Sequence, residues 1–147
     1  MVAHWKGNDK QYANSVLPLL IGSQGCGKST YCRNILPPDL RAYYTDSIDF
    51  SRKRDAELYL NRFMLINIDE FDQVSVNHQG FLKHILQKPV LKVRKPNEAA
   101  VRELKRYASF IATSNHSDLL SDPSGNRRFI CINITGRIRN DAVINYP

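Results

Sequence analysis

Short continuous apolar runs alternate along this chain with segments whose apolar residues recur at helical spacing. Val16-Leu17-Pro18-Leu19-Leu20-Ile21 is unbroken and predicts a buried strand over 16–21. A helix is expected from Lys28 to Leu36, stopped by Pro37-Pro38. Tyr43-Tyr44-Thr45 suits a short strand, with both tyrosines read as packing residues, and Asp55 to Asn61 suits a helix. Phe63 to Ile68 is apolar except for Asn67, which predicts a strand buried on both faces that ends at Asp69-Glu70. From Val76 to Gln87 the pattern is helical, with Phe81, Leu82, Ile85 and Leu86 on one face and Pro89 as the stop. Val90–Val93 and Val101–Leu104 flank a Pro96-Asn97 turn and predict a hairpin. Phe110 to Thr113 is a further apolar strand ending in Ser114-Asn115, and Phe129 to Ile134 an alternating one. Residues 1–15 form a lead-in with Trp5 and Tyr12 as packing residues. Strands interleaved with helices imply an α/β fold with a mostly parallel, three-layer sheet, the 90–104 hairpin excepted.

Composition agrees with one domain. The chain has 147 residues, 42% hydrophobic and 24% charged, enough to bury a core and too apolar for a disordered chain. No apolar stretch approaches the roughly 18 residues of a membrane span, and the polar start MVAHWKGNDKQ has no apolar signal segment. Cys26, Cys32 and Cys131 are an odd set without metal spacing and read as reduced thiols of a cytoplasmic protein. His78, His84 and His116 lack metal-ligand spacing beside a carboxylate and are read as non-ligands. The net charge of +7 points to a polyanionic partner, with nucleic acid leading.

The chemistry concentrates where strands end. Gly22-Ser23-Gln24-Gly25-Cys26-Gly27-Lys28-Ser29 spells G-x-x-x-x-G-K-S between an expected strand and an expected helix, the context a phosphate-binding loop requires. Glycines let backbone N–H groups converge on one concavity, and the helix N-terminus adds positive potential. Lys28 would reach the β- and γ-phosphates and Ser29 would hold Mg²⁺. Cys26 would be open to oxidants without nucleotide, though a small residue that fits the loop is the simpler reading. Asp69-Glu70, after an apolar strand, matches a Walker B pattern: Asp69 as a Mg²⁺ partner and Glu70 as the base or positioner of the attacking water. Asn115, at the end of another strand, is expected to contact the γ-phosphate or that water. In Gly125-Asn126-Arg127-Arg128-Phe129, an arginine would stabilise charge on the γ-phosphoryl group, across an interface if the protein forms a ring.

GSQGCGKST, FMLINIDEFD, RYASFIATSN and GNRRF, in this order, resemble the virulence-associated E family over roughly residues 14–136. That family comprises P-loop ATPases related to superfamily 3 helicases, often joined to primase domains in phages and mobile elements. The resemblance implies an AAA+-like P-loop fold with ATP and Mg²⁺ bound by Gly22 to Thr30 and Asp69. It also implies assembly into rings, usually hexamers, and movement along single-stranded DNA. It favours Arg128 over Arg127 as the finger and matches Asn115 to the sensor-1 asparagine. Eight lysines and arginines lie within 83–106 against Glu98 and Glu103, a local +6. By resemblance this hairpin grips DNA phosphates, with Arg94 and Lys95 at its turn. Arg52-Lys53-Arg54 is a second, weaker basic cluster. With no primase or zinc segment in view, the chain reads as one ATPase domain excised from, or a small relative of, a primase–helicase. Two alternatives stay open: a nucleotide- or DNA-binding module with little hydrolysis of its own, and a small-molecule kinase.

Overall fold

The computed structural model describes residues 5–6, 13–94, 100–116 and 126–140. Tyr12, Lys95, the Pro96-Asn97 turn and Gly125 lie outside the described residues. In chain order the elements are β1 (Leu17–Ile21), α1 (Lys28–Arg33), β2 (Tyr44–Thr45), α2 (Lys53–Arg62), β3 (Leu65–Ile68), α3 (Val76–Leu86), β4 (Val90–Arg94), β5 (Val101–Lys105), β6 (Ser109–Ser114) and β7 (Phe129–Asn133). Short 3₁₀ segments cover Pro38–Tyr43, Phe71–Gln73 and Asn126–Arg128.

Five strands form one sheet in the order β2-β3-β6-β1-β7, and every pair in it is parallel. β4 and β5 form a separate antiparallel hairpin, with Val90 opposite Lys105 and Arg94 opposite Val101. The fold is therefore α/β with a parallel central sheet, as the interleaved pattern predicted. β1 is an interior strand, between β6 and β7, and both of its faces are covered, Leu17 and Leu19 on one side and Leu20 on the other, which explains its unbroken apolar run.

Strand alternation divides the core into two layers. Leu20, Leu65 and Ile111 face α1, packing with Cys32 and Leu36. Leu17, Leu19, Ile66, Ile68, Phe110 and Ala112 face the other way, toward Leu60 of α2 and Leu82, Ile85 and Leu86 of α3. Asn67, the one polar residue of β3, is fully buried. Trp5 of the lead-in packs on the α1 layer and donates from its indole Nε1 to the Met64 carbonyl at 2.7 Å.

Several boundaries differ from expectation. α1 ends at Arg33 rather than Leu36, because the Asn34 N–H bonds back to Thr30 and Tyr31 and tightens the last turn. β3 begins at Leu65, since the Phe63 N–H still closes α2 onto Tyr59 and the Met64 N–H goes to Tyr43. Tyr43 is excluded from β2 and is 47% exposed, so only Tyr44 of that pair packs.

Burial also removes a charge from the predicted basic face. Arg106 is 1% exposed. Its guanidinium donates to the carbonyls of Ile85 at 3.0 Å, Leu86 at 2.9 Å, Lys88 at 2.8 Å, Ala108 at 3.0 Å and Asn14 at 3.3 Å. It caps the C-terminus of α3, where a cation meets the negative end of the helix. Burial pushes its pKa down to about 10, which leaves it charged at neutral pH. Lys88, also counted in the basic segment, pairs with Glu57 at 2.6 Å. The hairpin's outward charge is therefore smaller than the sequence count.

Candidate functional site

The loop after β1 carries two glycines at positive φ, Gly25 at 78° and Gly27 at 97°, a conformation that side chains rarely adopt. They turn the chain sharply into α1, whose first residue is Lys28. The lysine is 93% buried and folds into the loop's concavity. Its Nζ donates to Gly22 O at 2.7 Å, Ser23 O at 3.0 Å and Asn115 Oδ1 at 3.0 Å. Cys26 Sγ lies 3.7 Å away, and Cys26 is itself buried. The thiol expected to be open to oxidants is instead enclosed by the loop that contains it.

Asp69 follows β3 on the α1 side of the sheet, two positions beyond Asn67 and four beyond Leu65. There it accepts from Ser29 Oγ at 2.9 Å. Thr113 Oγ1 donates to the same carboxylate oxygen and accepts from the Glu70 N–H at 3.3 Å. Thr113 was not singled out from the sequence, although it shares a strand end with Asn115. Its signal was the face it occupies: Ile111, two residues earlier, also faces α1.

Glu70 adopts φ 51° and ψ 53°, and among the described residues it alone is a non-glycine at positive φ. Such a conformation costs of order 1–3 kcal/mol and clusters at functional sites. It turns the chain out of β3, so that the Glu70 side chain is exposed and lines the same cleft as Asp69. The neighbouring Asp72 is tied down instead. Burial raises its pKa, but hydrogen bonds from its own backbone, Gln73 and Ser114 outweigh that and hold the carboxyl below the usual range.

The result is a cleft of about 250 Å³ at the carboxyl edge of the sheet. Gln24, Gly25, Gly27, Lys28, Ser29, Thr30, Asp69, Glu70, Thr113 and Asn115 line it. Lys28 and Asn115, 87 residues apart in the chain, thus meet, because β6 lies between β1 and β3. Gly22 is packed against Ile134, and Ser23 contributes its carbonyl to Lys28. Ser29 and Asp69 are paired hard oxygen donors, suited to a Mg²⁺ ion that keeps water and phosphate as its other ligands. Among the described residues no cluster of three or more His, Cys, Asp and Glu could hold a metal by itself.

The arginine pair stands elsewhere. Arg128 immediately precedes β7, whose first residue Phe129 is opposite Leu17, the first residue of β1. The cleft is at the other end of these parallel strands, roughly 15 Å away at about 3.3 Å per residue. Arg127 and Arg128 line a different cavity with Ser15, Val16 and Gln87. With its amide turned to satisfy both groups, Gln87 accepts from Arg128 Nε at 3.1 Å. Neither arginine can reach the cleft of its own chain.

The chain matches the virulence-associated protein E-like domain over residues 13–146. It belongs to that family. No curated protein matches the chain. Among solved structures, two apo forms of the NrS-1 C-terminal region superpose on this virulence-associated protein E-like domain with a TM-score of 0.61 and 19% identity. They cover 98% of this chain, which spans 37% and 38% of their lengths. At that identity the likeness establishes a shared fold.

The basic segment is only partly described. Arg94 ends β4, and Lys95 lies outside the described residues. α2 packs beside this hairpin: Arg54 donates to the Arg94 carbonyl, and Asn61 Nδ2 to the Lys105 carbonyl at 2.7 Å. The weaker basic cluster at 52–54 is thereby brought next to the stronger one. No helix among the described residues is long and apolar enough to cross a membrane.

Proposed function

We propose that this chain is the ATP-binding and ATP-hydrolysing motor core of a helicase-like protein that works on single-stranded DNA in the replication of phages or mobile elements. One observation carries the reading: Lys28, the Ser29–Asp69 pair, Glu70 and Asn115 meet in one cleft at the carboxyl edge of a parallel sheet. Open α/β sheets bind ligands at that edge. Backbone N–H groups of the loop would cradle the triphosphate, and Lys28 would exchange its carbonyl partners for phosphate oxygens. Magnesium held by Ser29 and Asp69 would neutralise charge between the β- and γ-phosphates. Glu70 would take a proton from, or orient, the water in line with the γ-phosphorus, and Asn115 would hold the γ-phosphate from the opposite side. Thr113 is a positioning residue, fixing Asp69 and the Glu70 backbone together.

The position of Arg128 favours assembly. An arginine at the opposite end of β7 can serve a nucleotide only on a neighbouring copy, as in a ring, a hexamer by family resemblance. The same observation supports a second reading, a nucleotide- and DNA-binding module that hydrolyses little when dilute and monomeric. A kinase is disfavoured by Glu70, whose strained backbone directs a carboxylate to the cleft where water would be activated. The hairpin with Arg94 and Lys95, flanked by Arg54, would contact DNA phosphates without reading sequence.

Phosphate release from ATP without any acceptor, measured with and without single-stranded DNA, tests the proposal. Hydrolysis by the wild-type chain that Lys28→Ala abolishes is the expected result. Failure of ATP to bind at millimolar concentration would overturn it.

A further inference from the structure

The end of α3 is held from several sides. Gln87 follows the helix as its C-cap, and its own N–H donates to His84 O at 3.2 Å. The carbonyls on either side of it, those of Leu86 and Lys88, both accept from Arg106 Nη1, at 2.9 and 2.8 Å. The backbone of Gln87 is therefore fixed by a buried guanidinium. The residue itself is exposed, at the rim of the cavity of about 350 Å³ that Arg127 and Arg128 also line.

Two N–H groups of Arg128, on Nε and Nη2, face the end of the Gln87 amide. Both are donors, so only the amide oxygen can meet them, since an NH₂ in that place would oppose donor to donor. Gln87 Oε1 accordingly accepts from Nε at 3.1 Å and from Nη2 as well. A guanidinium presents its donors in a rigid planar fork with two edges, one formed by Nε and Nη2 and the other by Nη1 and Nη2. The glutamine occupies the first and leaves the second, which can pair with two oxygens of a phosphoryl group. The acceptor is also neutral. Among the described residues no carboxylate lines this cavity, so Arg128 is oriented without its charge being cancelled. A long side chain held in one orientation by a fixed neighbour has less freedom to lose when it meets an anion.

We propose that Gln87 is the positioning residue for Arg128, holding its guanidinium in one orientation for the nucleotide of a neighbouring copy. The inference rests on the reading above, in which Arg128 acts across an interface. It places the task of Gln87 in the chain that donates the arginine, not in the chain that hydrolyses.

The test is steady-state phosphate release by the full chain carrying Gln87→Met, which keeps the length of the side chain and removes its acceptor. Turnover is expected to fall about 5- to 20-fold, the scale of one lost hydrogen bond, with KM for ATP within about twofold of wild type. The melting temperature should stay within about 3 °C. Adding Glu70→Gln chains, inactive themselves, should raise the turnover of Gln87→Met chains at least about twofold, because their intact arginine then serves an intact cleft. Adding Arg128→Ala chains should not. A Gln87→Met defect that Glu70→Gln chains fail to relieve, while they do relieve Arg128→Ala, would make Gln87 a brace of its own chain and overturn the proposal. Wild-type turnover by Gln87→Met beside an impaired Arg128→Ala would overturn it as well. Wild-type turnover by Arg128→Ala, or failure of Glu70→Gln chains to relieve either variant, would instead remove the action between copies on which the inference stands, and the inference with it.

Discussion

Lys28 Nζ lies 3.0 Å from Asn115 Oδ1, joining the loop after β1 to the end of β6 across 87 residues of sequence. The lysine also holds two loop carbonyls. Its charge is thus already solvated by the protein, and a phosphate bound there would have to replace these partners rather than meet a bare ammonium. Charge-assisted hydrogen bonds contribute about 1.5–3 kcal/mol each. Lys28→Ala should weaken ATP binding by roughly 10- to 100-fold, and Asn115→Ala should weaken it less while lowering turnover. Titration calorimetry beside steady-state phosphate release separates the two effects. Unchanged ATP affinity in Lys28→Ala would contradict the assignment.

Glu70 combines a strained backbone with an exposed carboxylate. Glu70→Gln should preserve ATP binding and cut hydrolysis about 10²-fold or more, the scale of a lost general base. Glu70→Gly should cut hydrolysis equally but raise stability by about 1 kcal/mol, since glycine adopts φ 51° without penalty. Denaturant melts of the two variants read the difference. A less stable glycine variant would mean that the left-handed backbone stores no strain.

Arg128 and the cleft occupy opposite ends of parallel strands, so on the proposed reading the arginine would act between copies. Turnover per chain should rise with protein concentration. Mixing Glu70→Gln with Arg128→Ala, each inactive alone, should restore part of the activity, because some interfaces then pair an intact cleft with an intact arginine. No recovery at any mixing ratio would count against action in trans.

Arg94 and Arg106 are twelve residues apart and are expected to behave oppositely. Arg94→Ala should lower affinity for single-stranded DNA, reduce its salt dependence by about one counterion and leave stability within about 0.5 kcal/mol. Arg106→Leu strips donors from five carbonyls and should destabilise the fold by about 2–4 kcal/mol, with DNA binding by the folded fraction unaltered. Thermal melts and salt-dependent anisotropy distinguish them. Equal stability of Arg106→Leu and wild type would show the guanidinium network to be dispensable.

Burial, with Asp69 nearby as a lesser cause, pushes the Cys32 thiol up to about 12, whereas Cys131 is exposed on β7. The thiolate is the reactive form. At pH 8 iodoacetamide should modify Cys131 first and leave Cys32 untouched until the chain is unfolded. Peptide mass spectrometry gives the order, and early modification of Cys32 would mean that the α1 layer opens readily.

Much of this molecule was legible in its amino-acid order, because the deciding forces are local. Apolar runs of four to six residues bounded by polar or turn residues suit strands covered on both faces, so β1, β3 and β6 were expected near their observed limits. The loop of Gly22 to Ser29 declares itself through residues that must be contiguous: glycines at positive φ and a lysine at the helix start. Asp69, Glu70 and Asn115 were expected as candidates because apolar strands end there.

What remained open depended on which strands lie side by side, and no local rule specifies that. Hydrogen bonding along strand edges put β6 between β1 and β3, and only then did Thr113 meet Asp69 and Asn115 meet Lys28. Arg106 could not be told from the outward cations around it, since charge is a property of the residue and burial a property of its neighbours. The separation of Arg128 from the cleft, and the return of Asn140 onto Gly27, likewise follow from the pairing of β7 with β1, a neighbour that no local pattern specifies.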